Sequence, residues 1–340
     1  MNQLAIVILN FNGKTHLETF LPSVIRFKEE HTIVIADNAS TDDSIDFLKN
    51  SHPSIQIIEN KENYGFARGY NEALKKIKDK FEYFLLLNND VEVTENWIKP
   101  LLSSVQDNNV VACQPKILSY LNKSSFEHAG AAGGFIDEHY FPFCRGRIID
   151  SVEEDCAQYE SEIAVSWTSG AAMLIKSSVF FEADGFDEDF FAHMEEIDLC
   201  LRLQKKGYDL KCNPKSVVFH LGGGTLPYNS DRKVYLNFRN NLFLIVKNHP
   251  GFLFPKLVTR MTIDFIAFLK FLFEGKIKHS LSVLKAHISL YLNLFLFLGK
   301  RKSLKADSHT FRKYNGSILW AFFIQKNKTY LKLNKRKLKV

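Results

Sequence analysis

The chain has 340 residues, 46% of them hydrophobic and 24% charged, with 17 Gly and 9 Pro, which excludes a disordered, collagen-like or low-complexity protein because the apolar fraction is ample for a core. A formal net charge of +6 hides a split, since residues 247–340 carry 20 Lys and Arg against 3 acids, a balance of +17 that leaves −11 on residues 1–246. Five Cys, at 113, 144, 156, 200 and 212 with no CxxC pair, argue against a disulfide framework or a cysteine zinc site and point to a reducing cytoplasm.

Ala5–Leu9 is a short apolar run ending in Asn10-Phe-Asn-Gly13. The opening MNQLAIVILN has no basic leader and reads as a strand rather than a signal peptide. Ile33–Ala36 is a second run, ending at Asp37-Asn38-Ala39-Ser40; a third lies near Ile55–Ile58, and a fourth, Phe84–Leu87, ends in Asn88-Asn89-Asp90. Helix-length stretches with polar faces separate them, at about 15–29, 42–50 and 67–80. Short aliphatic runs alternating with helices predict a parallel sheet buried on both faces. Such sheets gather ligands beyond their carboxyl ends, here marked by Asn10, Asp37, Asn60 and Asp90.

Residues 110–165 read as further strands and loops, and Ser169-Gly170-Ala171-Ala172 as a place of close backbone approach. Asp198–Lys206 predicts an amphipathic helix exposing Arg202, Lys205 and Lys206. A short strand, Ser216–Phe219, then runs into His220 and Gly222-Gly223-Gly224, where backbone N–H groups could meet phosphate; Arg232, Lys233 and Arg239 follow to balance charge. From about 246 the composition changes. Phe265–Phe273 and Ile288–Leu298 are apolar over only 9 and 11 residues and are flanked by basic clusters. No run reaches the roughly 18 apolar residues of a spanning helix, so these segments read either as helices lying in an anionic bilayer surface or as a packing or dimerisation region.

Three groups could carry chemistry. Asp37 with Asn38 can accept hydrogen bonds from a base or ribose, or can simply close an Asx-turn. Asp90 is a carboxylate at the sheet edge, suited to Mg2+ or Mn2+ shared with substrate phosphates, or again to a turn. Gly185-Phe-Asp-Glu-Asp-Phe-Phe-Ala-His-Met-Glu-Glu-Ile-Asp198 crowds acids and His193 ahead of a helix, more than favourable charge at its N-terminus requires. One of these carboxylates could act as general base. Glu195 and Asp198 share a helical face, whereas Glu196 projects about 100° away.

Together these segments resemble a family 2 glycosyltransferase of GT-A fold, and are most similar to bacterial rhamnosyltransferase-like members. The resemblance covers about residues 3–246 and rests on the order of five motifs: Ile6–Gly13, Ala36–Asp42, Asn63-Tyr-Gly-Phe-Ala-Arg-Gly-Tyr-Asn71, Leu87–Asp90 and Gly185–Asp198. It implies an α/β, Rossmann-like, mostly parallel sheet with flanking helices over 1–246, followed by a basic, apolar helical extension over 247–340. It implies that Asp37 binds the base and that Asn63, Gly65, Arg68 and Asn71 lie against the nucleotide-sugar. Asn10, Asn38, Asn89 and Arg239 complete the expected donor site. Asp90 closes a DxD-like motif that holds Mg2+ or Mn2+, with His220 as a further ligand. Position 88 is Asn, so Asp90 is the only carboxylate of that motif. The base falls at Glu196, where the family usually has Asp, with Glu195 as the competing assignment. The implied reaction is inverting transfer of a sugar from a UDP-, dTDP- or GDP-linked donor to a glycan or lipid-linked glycan, in cell-surface polysaccharide synthesis at the inner face of the cell membrane.

Other classes fit less well. A nicotinamide-dependent dehydrogenase needs GxGxxG after the first strand, and Asn10–Gly13 offers one glycine. A sugar nucleotidyltransferase wants a Gly-rich phosphate loop near the N-terminus. Nucleic-acid binding is not expected, because the aromatics of the basic tail sit in apolar runs rather than between basic residues. A non-catalytic membrane-surface adaptor is the remaining alternative.

Overall fold

The computed structural model describes residues 2–127, 130–222, 230–304 and 310–339. Its main strands are β1 (Asn2–Asn10), β2 (Thr32–Asp37), β3 (Gln56–Glu59), β4 (Phe81–Asn88), β5 (Val91–Val93) and β6 (Val110–Ser119). A small antiparallel sheet follows, with β7 (Gly134–Ile136), β8 (Pro142–Cys144), β9 (Arg147–Ile148) and β10 (Ser151–Val152); β11 (Ile163–Ala164), β12 (Ala172–Lys176) and β13 (Asp209–His220) return to the main sheet. The helices are α1 (Lys14–Phe27), α2 (Ser44–Ser51), α3 (Gly65–Lys75), α4 (Ile98–Ser104), α5 (Ser177–Glu182), α6 (Glu195–Lys205), α7 (Asp231–Asn248), α8 (Leu253–Phe273) and α9 (Ile277–Ser303).

Strands β4, β1, β2 and β3 lie side by side and parallel. Antiparallel β12 joins them to the parallel pair β6 and β13. This is the α/β, mostly parallel sheet with flanking helices that the sequence leads one to expect. Alternation explains its burial on both faces. Ala5 and Val7 of β1 pack on the α3 side with Ala67 and Tyr70, while Leu4, Ile6 and Ile8 pack on the α1 side with Leu17, Leu21 and Val24. The register sets Asn10 opposite Asp37 and Leu9 opposite Asn88, so the polar strand ends lie at one level.

Two expectations need correction. Helix α6 begins at Glu195, so Glu195 and Glu196 lie within its first turn rather than ahead of it. Its basic residues are not all solvated either: Arg202 and Lys205 are buried. The Arg202 guanidinium pairs with Asp198 at 2.8 Å and donates to the carbonyls of Ala183 and Gly185.

The second correction concerns the C-terminal region. The apolar runs are the middles of longer helices, α8 of 21 residues and α9 of 27, and α7 crosses position 246 without a break. Within Ile277–Lys302 one helix is long and apolar enough, by length and composition, to cross a membrane, contrary to the expectation from uninterrupted apolar runs. Helices α8 and α9 are joined by a turn at Gly275, which takes φ +72°. The charged pair Arg260–Asp264, at 2.7 Å, is buried in this hairpin, and His287 Nε2 lies 3.1 Å from Asp264. Phe265, Ile266, Phe273, Leu292 and Phe295 are exposed instead.

Candidate active site

The first part of the site is a row of side chains along the carboxyl ends of β2, β1 and β4. Asn10 Nδ2 donates to Asp37 Oδ2 at 3.0 Å, and Asn89 Nδ2 donates to Asn10 Oδ1 at 2.9 Å. Ser40 closes the turn after β2, donating from its N–H and its hydroxyl to the two Asp37 oxygens at 2.8 and 2.7 Å. The Asx-turn and the strand-end carboxylate are therefore the same structure. Gly13 makes the row possible: a Cβ there would come within 2.3 Å of Asn10 Oδ1 and 2.2 Å of Asn89 Nδ2.

The second part ties Asn38 to α3. Asn38 Nδ2 donates to the Gly65 carbonyl at 2.8 Å and lies 3.3 Å from Asn63 Oδ1, which in turn accepts from the Gly65 N–H at 3.0 Å. Asn60 Nδ2 donates to Asn38 Oδ1 at 3.0 Å. Arg68 stacks 4.0 Å over the Tyr64 ring and lies within 3.7 Å of Glu188. Asn71 is buried and turned the other way: it exchanges hydrogen bonds with the backbone of Phe186, donating to its carbonyl and accepting from its N–H. In this structure its side chain clamps the loop ahead of α6.

The third part is at the end of β4 and β13. His220 Nε2 lies 3.1 Å from Asp90 Oδ1, and its Nδ1 lies 3.5 Å from Glu127 Oε2. Both carboxylates outweigh the cost of burial and push the imidazole up to about 10, and His220 holds Asp90 below the usual carboxylate range against its own burial. Among the described residues no three His, Cys, Asp or Glu side chains converge as a cation cage. Asp90 offers one oxygen, and His220 offers one nitrogen once an incoming cation displaces the proton that the two carboxylates hold on it. That donor set fits a cation that arrives with phosphate oxygens, since Mg2+ needs only one or two protein ligands beside substrate and water. Of the glycine run after His220, Gly223 and Gly224 lie outside the described residues.

The fourth part is the first turn of α6. Glu196 is half-buried, and a methyl group on Gly170 would lie 3.9 Å from its Cβ and 3.1 Å from the Phe66 ring. Ala171, next to Gly170, accepts the Asn88 N–H at 3.0 Å, which connects Glu196 to the Asp90 strand end. One oxygen each of Glu195 and Glu196, and Nε2 of His193, are enclosed with no hydrogen-bond partner among the described residues. Burial raises the Glu196 carboxyl to about 7, and burial with the Glu196 charge drives Glu195 well above the carboxylate range. Such displacement marks carboxyls suited to proton transfer near neutral pH. Asp198 differs: Lys247, Arg202 and Asn248 bind it and hold it low. It is a structural anion.

The loop into α6 is strained. Phe191, His193 and Met194 take φ of +64°, +69° and +75°, a region that side chains other than glycine and asparagine seldom occupy. Asn240 Nδ2 collects the carbonyls of Phe190, Ala192 and His193 at 2.6–2.9 Å. Arg239, expected at the donor, donates to the carbonyls of Asp189 and Phe190 in this structure. Glu127, Asn240 and Lys247 escaped the sequence reading. Only the Asn240-Asn241 pair, polar residues amid the apolar positions of a helix, carried a visible signal.

Two surface hollows, of about 630 and 550 Å³, lie elsewhere, the first lined by Lys78, Glu82 and Phe181 and the second by Lys99, Glu162 and Lys215. Neither gathers converging groups comparable to the rim.

Comparison with known proteins bears on the family and the fold. Residues 5–154 match the family model Glycosyl transferase family 2. The chain is 24% identical over 289 residues to the low-salt glycan biosynthesis hexosyltransferase Agl10 of Haloferax volcanii, covering 82% of this chain and 88% of that protein. It is 24% identical over 231 residues to the N-acetylglucosaminyl-diphospho-decaprenol L-rhamnosyltransferase of Mycobacterium tuberculosis, covering 64% and 75%. Among solved structures, GalNAc-T7 with UDP, GalNAc and Mn2+ superposes with a TM-score of 0.55 at 17% identity, over 73% of this chain and 48% of that one.

Proposed function

We propose, for a chain that carries a glycosyl transferase family 2 domain, inverting transfer of a sugar from a nucleoside-diphosphate donor to a hydroxyl of a glycan or lipid-linked glycan. The observation that supports this reading is the carboxyl edge of the sheet, where the Asp37–Asn10–Asn89 row and the Asp90–His220 pair lie at strand ends, with Glu196 beside Gly170, whose neighbour Ala171 accepts the Asn88 N–H. Asp37 and Asn38 receive the nucleoside, with Asn63, Gly65 and Arg68 along the nucleotide-sugar. Asp90, with His220 after it gives up its proton, would hold Mg2+ or Mn2+, and the cation would neutralise charge on the leaving diphosphate. Glu196 takes the acceptor hydroxyl proton as the acceptor oxygen bonds to the anomeric carbon. The bond from that carbon to the phosphate oxygen breaks, and the nucleoside diphosphate leaves on the opposite face.

Thermal melts with UDP-, dTDP- and GDP-sugars, each with Mn2+ or Mg2+, test donor binding. At a hundred times its Kd a true donor adds about 2.7 kcal/mol to stability, and the shift should vanish with EDTA. A melting temperature indifferent to every nucleotide-sugar contradicts the reading.

Residues 1–246 then carry the donor chemistry and residues 247–340 the attachment to the membrane face where a lipid-linked acceptor resides. Support comes from the hairpin of α8 and α9, which buries Arg260 and Asp264 while exposing Phe273, Leu292 and Phe295, and from the +17 balance of the region. Apolar side chains enter the acyl boundary while each Lys or Arg near an anionic surface adds about 1 kcal/mol. The protein should float with vesicles containing anionic lipid and remain behind with neutral ones. Absence from both fractions removes the membrane from this account and leaves the transfer chemistry untouched.

A further inference from the structure

We infer that Lys300, on the C-terminal helix α9, is a positioning residue for the base-bearing loop, so that the basic helical region takes part in transfer rather than serving attachment alone. The inference rests on the reading of Glu196 as base.

The loop from Gly185 to Met194 reaches Glu196 through three residues held at positive φ. Such backbone is costly and persists only where its surroundings over-determine it. The restraints here come from two helices. Asn240 and Arg239 of α7 bind the loop carbonyls. The loop's acidic side chains are bound by Lys247 of α7 and Lys300 of α9. Lys247 Nζ bridges Asp187 at 2.6 Å and Asp198 at 2.8 Å, tying the start of the loop to the first turn of α6. Lys300 Nζ binds the other Asp187 oxygen and adds Asp189, both at 2.5 Å. Three carboxylates, Asp187, Asp189 and Asp198, thereby meet three cations, Lys247, Lys300 and Arg202. The aromatic rings repeat the arrangement: Phe297, one turn before Lys300, stacks on Phe243 at 4.0 Å and packs edge-on to Phe190 of the loop.

Lys247 is nearly as buried as the carboxylates it joins, so removing it would leave charges unpaired in the interior and endanger folding. Lys300 is the more exposed of the two, at 27%, and Asp187 keeps Lys247 when it is lost. Lys300→Met also retains an unbranched side chain beside the Phe297 ring. It frees Asp189 and relaxes one end of the loop without emptying the core.

Lys300→Met should lower kcat for sugar transfer by about ten- to a hundredfold, the scale on which misplacement of about 1 Å away from the reacting atoms acts. KM for the nucleotide-sugar and the melting temperature should stay near wild type, and Lys300→Arg should restore most of the rate. Hydrogen exchange, read without substrate, should show faster exchange of the amides of residues 187–194 in Lys300→Met and no change in β1 and β4. Unchanged exchange in that loop overturns the positioning role whether or not any transfer is measured. An unchanged kcat in an active enzyme, or kcat and melting temperature falling together, overturns it as well. Faster loop exchange in a protein that transfers nothing even as wild type supports the bracing and counts against the transferase reading instead.

Discussion

Glu196→Gln is expected to cost about 10²–10⁴-fold in kcat, the range for removing a positioned acid–base group, while nucleotide-sugar binding persists. The substitution keeps the shape of a half-buried side chain beside Gly170 and removes only its capacity to accept a proton. Because burial raises the Glu196 carboxyl to about 7, wild-type kcat/KM should climb as pH rises through about 7 and level off above it, as the base form accumulates. The residual rate of the variant should lack that limb. Stability should move in the opposite sense. The folded-state value lies above the unfolded 4.5, so the stability linked to this proton is complete below about 4.5 and is lost as pH rises through about 7. The neutral amide of the variant carries no such cost, so the variant should outlast the wild type at pH 8, by about 2–4 °C for each kcal/mol gained, and match it near pH 4. Glu195→Gln is the control that separates the two neighbours: it should share the stability gain and keep the pH limb. If Glu195→Gln loses the rate and Glu196→Gln keeps it, the roles are exchanged.

Asp90→Asn is expected to abolish metal-dependent donor binding, seen by calorimetry as the loss of the difference between titrations with Mn2+ and with EDTA. The amide is isosteric and leaves His220 facing Glu127, so the sheet edge should keep its form while losing the one carboxylate of the Asn88-Asn89-Asp90 motif. Asp37→Asn should behave differently, weakening nucleoside recognition with and without metal, because Asp37 is bound to Asn10 and Ser40 rather than to the Asp90–His220 pair. Donor binding by Asp90→Asn that still responds to EDTA as the wild type does would move the cation elsewhere.

The parallel half of the sheet and the level of its polar ends were legible because they depend on local patterns: aliphatic runs such as Phe84–Leu87 that end at Asn and Asp. The crowd of acids near residue 195 was also visible, but its division of labour was not. Glu195, Glu196 and Asp198 stand within four positions of one another, yet Lys247 and Arg202 keep Asp198 charged while Glu195 and Glu196 have no such cation partner among the described residues. Lys247 lies 49 residues away from Asp198, and no spacing rule links them. The same holds for Asn71, expected at the donor from its motif, and for Arg239, expected there to balance charge: the folded chain uses both to hold the loop. Helix lengths in the C-terminal region were underestimated because charged residues interrupt the apolar runs. Arg260 and Asp264 neutralise each other inside the hairpin and let α8 continue.

Diffraction at the manganese absorption edge from crystals soaked with a nucleoside diphosphate and Mn2+ tests the shared rim most directly. The account predicts an anomalous peak beside Asp90 and His220, with the diphosphate on the metal, the base against Asp37 and Asn38, and the Glu196 carboxyl facing open space where the sugar would extend. A nucleotide bound away from the ends of β1, β2 and β4, or a metal peak remote from Asp90, would contradict it.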